Sequence, residues 1–105
     1  VEVERMKPRP VVKWFAEQME RKLRDNDHKC GWNYEMLEFL SDKLGEECSE
    51  VQEALKKYLS EDSPIPIDDL DFAKVLELTH EQRKEIIDEA ADLANIAMML
   101  ADICK

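Results

Sequence analysis

"KLGEECSEVQEAL", residues 43–55, carries Glu46, Glu47, Glu50 and Glu53 on a stretch whose apolar residues recur at helical spacing. Leu37, Leu40, Leu44, Val51, Leu55 and Tyr58 fall on one stripe, which predicts a helix over residues 34–59. Like charges at i,i+3 and i,i+4 on such a helix repel one another. At about 100° per residue, Glu47 lies roughly 60° from the Leu44 centre of the stripe, inside its apolar sector. Glu50 lies at its border, and Glu46 faces solvent on the same side. A buried carboxylate without a partner is costly, so the pattern asks for a compensating positive charge.

A second segment repeats the arrangement. "THEQ", residues 79–82, has the pattern of a capping box and predicts a helix start, with the helix running to about Ile103. With Leu93 as the centre of its stripe, Glu89 lies about 40° away and Asp92 about 100° away. Each helix thus carries one acid in its apolar stripe and another at i+3 on the rim. If the helices pack together, four carboxylates converge at the edge of one core and raise one another's pKa. Lys43 and Lys84 supply too little charge for four acids. Magnesium, a hard cation with octahedral oxygen coordination and retained waters for a substrate phosphate, supplies enough. Glutamates projecting from facing helices are an established way of building metal sites in bundles.

The rest of the chain is consistent with an all-α domain. Its 105 residues suit one small domain, 1–105, with a modest core that a second copy would help to cover. Residues 11–24 show helical periodicity, residues 25–33 read as a loop, and Asn33 reads as an N-cap. "SEDSPIPIDD", residues 60–69, breaks the second helix at Pro64 and Pro66, and a short helix is expected near residues 70–78. The last helix is apolar beyond one face, through Ile86, Ile87, Leu93, Ile96, Met99 and Ile103. That breadth predicts cover from another subunit.

Composition narrows the function. With 25 acidic and 15 basic residues, a net charge of −10 argues against DNA or RNA binding and against an anionic membrane. The apolar run "LANIAMMLADIC", residues 93–104, is too short to span a bilayer. Cys30, Cys48 and Cys104 form no CxxC, so free, at least partly buried thiols in a cytoplasmic protein are expected.

"EECSE", Glu46–Glu50, resembles the E-E-x-x-E motif of the MazG-like all-α nucleoside triphosphate pyrophosphohydrolases, and "EAAD", Glu89–Asp92, resembles their E-x-x-D motif. "LGEECSEVQEAL" and "DEAADLANIAMML" are similar to that family's two metal helices. The resemblance covers residues 12–104. It implies a magnesium site, with manganese as a possible substitute, formed by Glu47, Glu50, Glu89 and Asp92. It also implies cleavage of a nucleoside triphosphate, with deoxynucleotides favoured, to the monophosphate and pyrophosphate. A helical bundle completed as a homodimer or homotetramer, acting in nucleotide-pool housecleaning, is the corresponding expectation. One departure is the 38 residues (51–88) between Glu50 and Glu89, more than in compact members.

Within that reading, Glu46 is the candidate base for the attacking water, with a second-sphere or surface role as its competitor. His28, Lys29 and Trp32 in the loop, Lys43 and Lys84, and Asn95 one turn beyond Asp92 are candidates for substrate contact. For Asn95 the competing reading is a hydrogen bond between helices; for Lys84 it is solvated charge. Lys13–Phe15 reads as core. A di-iron bundle would need two E-x-x-H motifs, and only "ELTH", residues 77–80, is present. A non-catalytic acidic dimerisation or regulatory module is the alternative function; it predicts no magnesium dependence.

Overall fold

The computed structural model describes residues 6–26, 31–59 and 72–105. They form three α-helices, α1 (Pro10–Asp25), α2 (Leu37–Leu59) and α3 (His80–Cys104), with no strand among them. Helix α2 packs along α3, and α1 packs against α3 on a neighbouring face, so that all three line one cleft. Helix α3 is therefore the element that both other helices meet.

The helix boundaries follow local chemistry. Pro10 opens α1 rather than preceding it, because its fixed φ and missing N–H cost nothing in the first turn. Asn33 does act as a cap, accepting from the Glu35 amide at 2.9 Å. The turn it caps, Tyr34–Met36, is 3₁₀, so α2 begins three residues later than periodicity alone suggests. The short helix expected near residues 70–78 is a 3₁₀ segment, Phe72–Glu77. The proline-containing break at 60–69 lies outside the described residues.

At the start of α3 the capping box is complete. Thr79 Oγ1 accepts from the Gln82 amide at 3.1 Å, and Gln82 Oε1 accepts from the Thr79 amide at 2.9 Å. Arg83 adds a guanidinium donor to the Val75 and Leu78 carbonyls, tying the 3₁₀ segment to α3. Thr79→Ala is expected to lower stability by about 1 kcal/mol in urea unfolding. It should leave any metal response unchanged, because Glu89 lies almost three turns further on.

The buried apolar residues are few: Leu40, Ala54, Leu59 and Ala91. Most large apolar side chains of α3 are half-exposed in the single chain. Val11, Val12 and Trp14 on α1, and Leu37 and Phe39 at the start of α2, are exposed. Trp14, read with Lys13 and Phe15 as core, is thus exposed instead, although it stacks obliquely against Phe15 at 6.1 Å. Cys48 and Cys104 are free, as expected, but exposed rather than buried; Cys30 lies outside the described residues. No described helix is long and apolar enough to cross a membrane.

Candidate metal centre

The antiparallel approach of α2 and α3 places the two acidic pairs against each other. One carboxylate oxygen from each of Glu47, Glu50 and Glu89 lies within 4.8 Å of the others. Asp92, one turn beyond Glu89, borders the group closely enough for its charge to act on both Glu47 and Glu89. The gradient read from helical angles is present: Glu47 is only 7% exposed, Glu89 and Asp92 are half-buried, and Glu50 and Glu46 are exposed.

The electrostatics of this cluster are unfavourable as it stands. Burial raises the Glu89 pKa to about 7, helped by a hydrogen bond and charge from Glu50 and by the charges of Asp92 and Glu47. Burial is also the main cause of the upward shift of Glu47, with Glu50 second. Asp92 is raised by burial even though Lys22 lies beside it. Two oxygens, Glu47 Oε2 and Glu89 Oε2, are buried without a hydrogen-bond partner among the described residues. Buried acceptors of this kind are rare, because an unpaired polar group loses its water for nothing in return. A hard divalent cation satisfies them: its ligands are carboxylate oxygens, and its charge removes the mutual repulsion. The donor set, all oxygen with neither histidine nor cysteine, fits magnesium or manganese better than zinc.

Two lysines attend the cluster. Lys43 Nζ lies 3.4 Å from Glu46 Oε2 and 3.5 Å from Glu47 Oε1. Lys22 Nζ, from α1, lies 3.6 Å from Asp92 Oδ2. The sequence does not single out Lys22, since a lysine beside the α1 stripe looks like any solvated charge until α1 is placed on α3. Beside the carboxylates opens a cleft of about 800 Å³, lined by Lys22, Lys43, Glu47, Asp92 and Asn95 among others. Its farther walls are apolar, formed by Leu23, Leu40, Ile96 and Met99.

The other candidates separate into four groups. Trp32 lines the cleft, with its indole N–H donated to Asp102 Oδ2 at 2.8 Å. Asn95 lines it too, donating from Nδ2 to the Met19 carbonyl at 3.1 Å. Glu46 stays at the solvent side, held by Lys43 next to the cluster. Lys84 is not among the cleft residues; its ammonium is bonded to Asp88 at 2.9 Å. Arg21 pairs with the same Asp88, and the two cations together hold its carboxyl below the usual range despite burial. His28 and Lys29 lie outside the described residues.

The all-α fold agrees with what comparison with known proteins finds. Neither a curated protein nor a solved structure gives a significant match to the chain. Residues 12–102 match the phosphoribosyl-ATP pyrophosphohydrolase family, whose members hydrolyse phosphoric anhydrides and share the MazG-like all-α architecture. With that match spanning nearly the whole sequence, the chain belongs to the phosphoribosyl-ATP pyrophosphohydrolase family.

Proposed function

We propose that the chain is a magnesium-dependent nucleoside triphosphate pyrophosphohydrolase, converting a (deoxy)nucleoside triphosphate and water to the monophosphate and pyrophosphate. The observation that carries this reading is the pair of partnerless buried oxygens, Glu47 Oε2 and Glu89 Oε2, within one carboxylate cluster. Glu47, Glu50, Glu89 and Asp92 would hold the cation. When bound, the cation supplies neutralisation of phosphate charge and acidification of water.

The chain's own groups supply the rest. Lys22 and Lys43 are the lysines that line the cleft among the described residues, and in this reading they meet phosphate oxygens once the carboxylates are otherwise neutralised. Glu46, beside the cluster and open to solvent, accepts a proton from the attacking water as the bond between the α- and β-phosphates breaks. Trp32 contributes an aromatic wall at the cleft mouth. A homo-oligomer completes the bundle by covering the half-exposed apolar side of α3, and the compartment is the cytoplasm. Phosphoribosyl-ATP, the substrate in the family's name, is the second reading within the same chemistry.

The test is a panel of canonical and damaged triphosphates together with phosphoribosyl-ATP, following pyrophosphate release with magnesium, with manganese and with EDTA. Metal-dependent pyrophosphate release from at least one triphosphate is expected. Release of orthophosphate instead, or equal rates in EDTA, would defeat the reading. Activity confined to phosphoribosyl-ATP would select the second one.

A further inference from the structure

Asn95 is 4% exposed and sits one turn beyond Asp92, where the cleft passes from acidic to apolar walls. Its side-chain nitrogen is committed: Nδ2 donates to the Met19 carbonyl of α1. That bond also fixes which way round the amide lies, because the reverse would set Oδ1 against the Met19 carbonyl oxygen. Oδ1 is then the end left over, and it is buried with no partner. The protein therefore holds, beside the candidate metal centre, a pre-oriented acceptor that nothing among the described residues satisfies.

Resting on the proposed triphosphate substrate, we infer that Asn95 Oδ1 reads the base, accepting a hydrogen bond from an exocyclic amino group. The cleft would then select 6-aminopurine or 4-aminopyrimidine nucleotides over their 6-oxo and 4-oxo counterparts.

Three observations point to this group. A phosphate has only acceptors to offer and is repelled by a carbonyl oxygen. A ribose hydroxyl would donate, but it is better solvated than buried beside Leu23, Leu40, Ile96 and Met99. A flat base matches those walls on its faces and has its polar atoms at the edge. Replacing the amino group by a carbonyl sets oxygen against oxygen, and Nδ2 cannot turn to help without giving up its bond to Met19 and setting Oδ1 against that carbonyl. Discrimination of this kind, where a buried polar group is left unpaired by the wrong ligand, is much stronger than discrimination by size.

The experiment compares matched pairs that differ at that single position, dATP with dITP and dCTP with dUTP. It measures kcat/KM with magnesium, and Kd for the α,β-methylene analogues by calorimetry. At least one amino member is expected to be preferred by about tenfold or more in both measurements. Asn95→Ala should bring that ratio to within about twofold of unity, with circular dichroism confirming its fold. The wild-type comparison stands even if the variant does not fold. Parity within both pairs, or a preference for the oxo members, overturns the inference while leaving pyrophosphohydrolase activity intact. So does a preference that persists in a folded Asn95→Ala, or a variant that alters only the ATP to dATP ratio, which would assign Oδ1 to the sugar. If no triphosphate binds or is cleaved, the inference falls together with the function it rests on.

Discussion

Glu89→Gln is expected to abolish magnesium-dependent pyrophosphate release, by about 10³-fold or more, while making the metal-free protein more stable. The two effects share a cause. Glu89 carries a pKa of about 7 because burial and the neighbouring acids disfavour its charge. At neutral and higher pH the folded chain must hold that charge beside Glu47, Glu50 and Asp92, and the unfolded chain need not. A neutral amide of nearly the same shape removes the repulsion and adds an NH₂ donor within reach of Glu50. A gain of about 1–2 kcal/mol in the absence of metal is the expected size, since a tenfold change in proton affinity corresponds to about 1.4 kcal/mol and the cluster is partly exposed. The same substitution deletes a cation ligand, so the stabilisation by magnesium should shrink with the activity.

Glu53→Gln on the exposed face of α2 is the matched control and should change neither quantity. Activity is followed as pyrophosphate release and stability as urea unfolding with EDTA. The non-catalytic helical module makes the opposite forecast: no magnesium dependence to lose. A variant that keeps its rate, or that loses stability in EDTA, would remove Glu89 from the centre.

Much of this site is legible in the sequence because helices repeat. The 3.6-residue period places Glu47 and Glu89 in their stripes without any knowledge of how α2 and α3 pack. A repeated violation of the in-and-out pattern then indicates that the two violations face each other. The capping box at Thr79 is equally readable, because both of its hydrogen bonds are local.

What the sequence does not show depends on contacts between distant segments. The Lys22–Asp92 pair spans α1 and α3, and nothing in residues 19–25 distinguishes Lys22 from Arg21 or Arg24. Lys84 is the exception: its partner Asp88 is one turn away, a local i,i+4 pair that the sequence already offers against a phosphate contact. Trp14 is read as core together with Lys13 and Phe15 and is still 44% exposed, because only one side of α1 meets α3. For Asn95 the sequence leaves a base or sugar contact and an interhelical bond as competing readings. The structure contains the second on its nitrogen and leaves its oxygen open.

Magnesium is expected to raise the melting temperature much more at about pH 8 than at about pH 5, and the metal-free protein is expected to become less stable over the same interval. Glu89 rises from an ordinary value of 4.5 to about 7 in the folded chain, and burial raises Glu47 and Asp92 as well. A carboxyl whose folded pKa is raised binds its proton more tightly in the native state. Between the two values the native state holds more protons than the unfolded chain, so stability falls as pH rises. The cost is absent below about pH 4.5 and complete above about pH 7. For Glu89 alone its ceiling is about 3 kcal/mol, reduced by partial exposure and by Lys22 and Lys43 nearby. The lowered carboxyls of Asp88 and Asp102 act in the opposite sense, but only as pH falls toward and below their ordinary range near 3.8, outside this window. A cation binds the ionised cluster and competes with its protons, so its stabilising effect grows where the apo protein weakens. At a hundredfold excess over Kd the linkage amounts to about 2.7 kcal/mol, or a shift of roughly 10–20 °C for a domain of this size. Thermal unfolding with magnesium and with EDTA at both ends of the range measures it. An equal shift at the two pH values, or an apo protein that gains stability through the window, would show that Glu47, Glu89 and Asp92 do not form one ionisable centre.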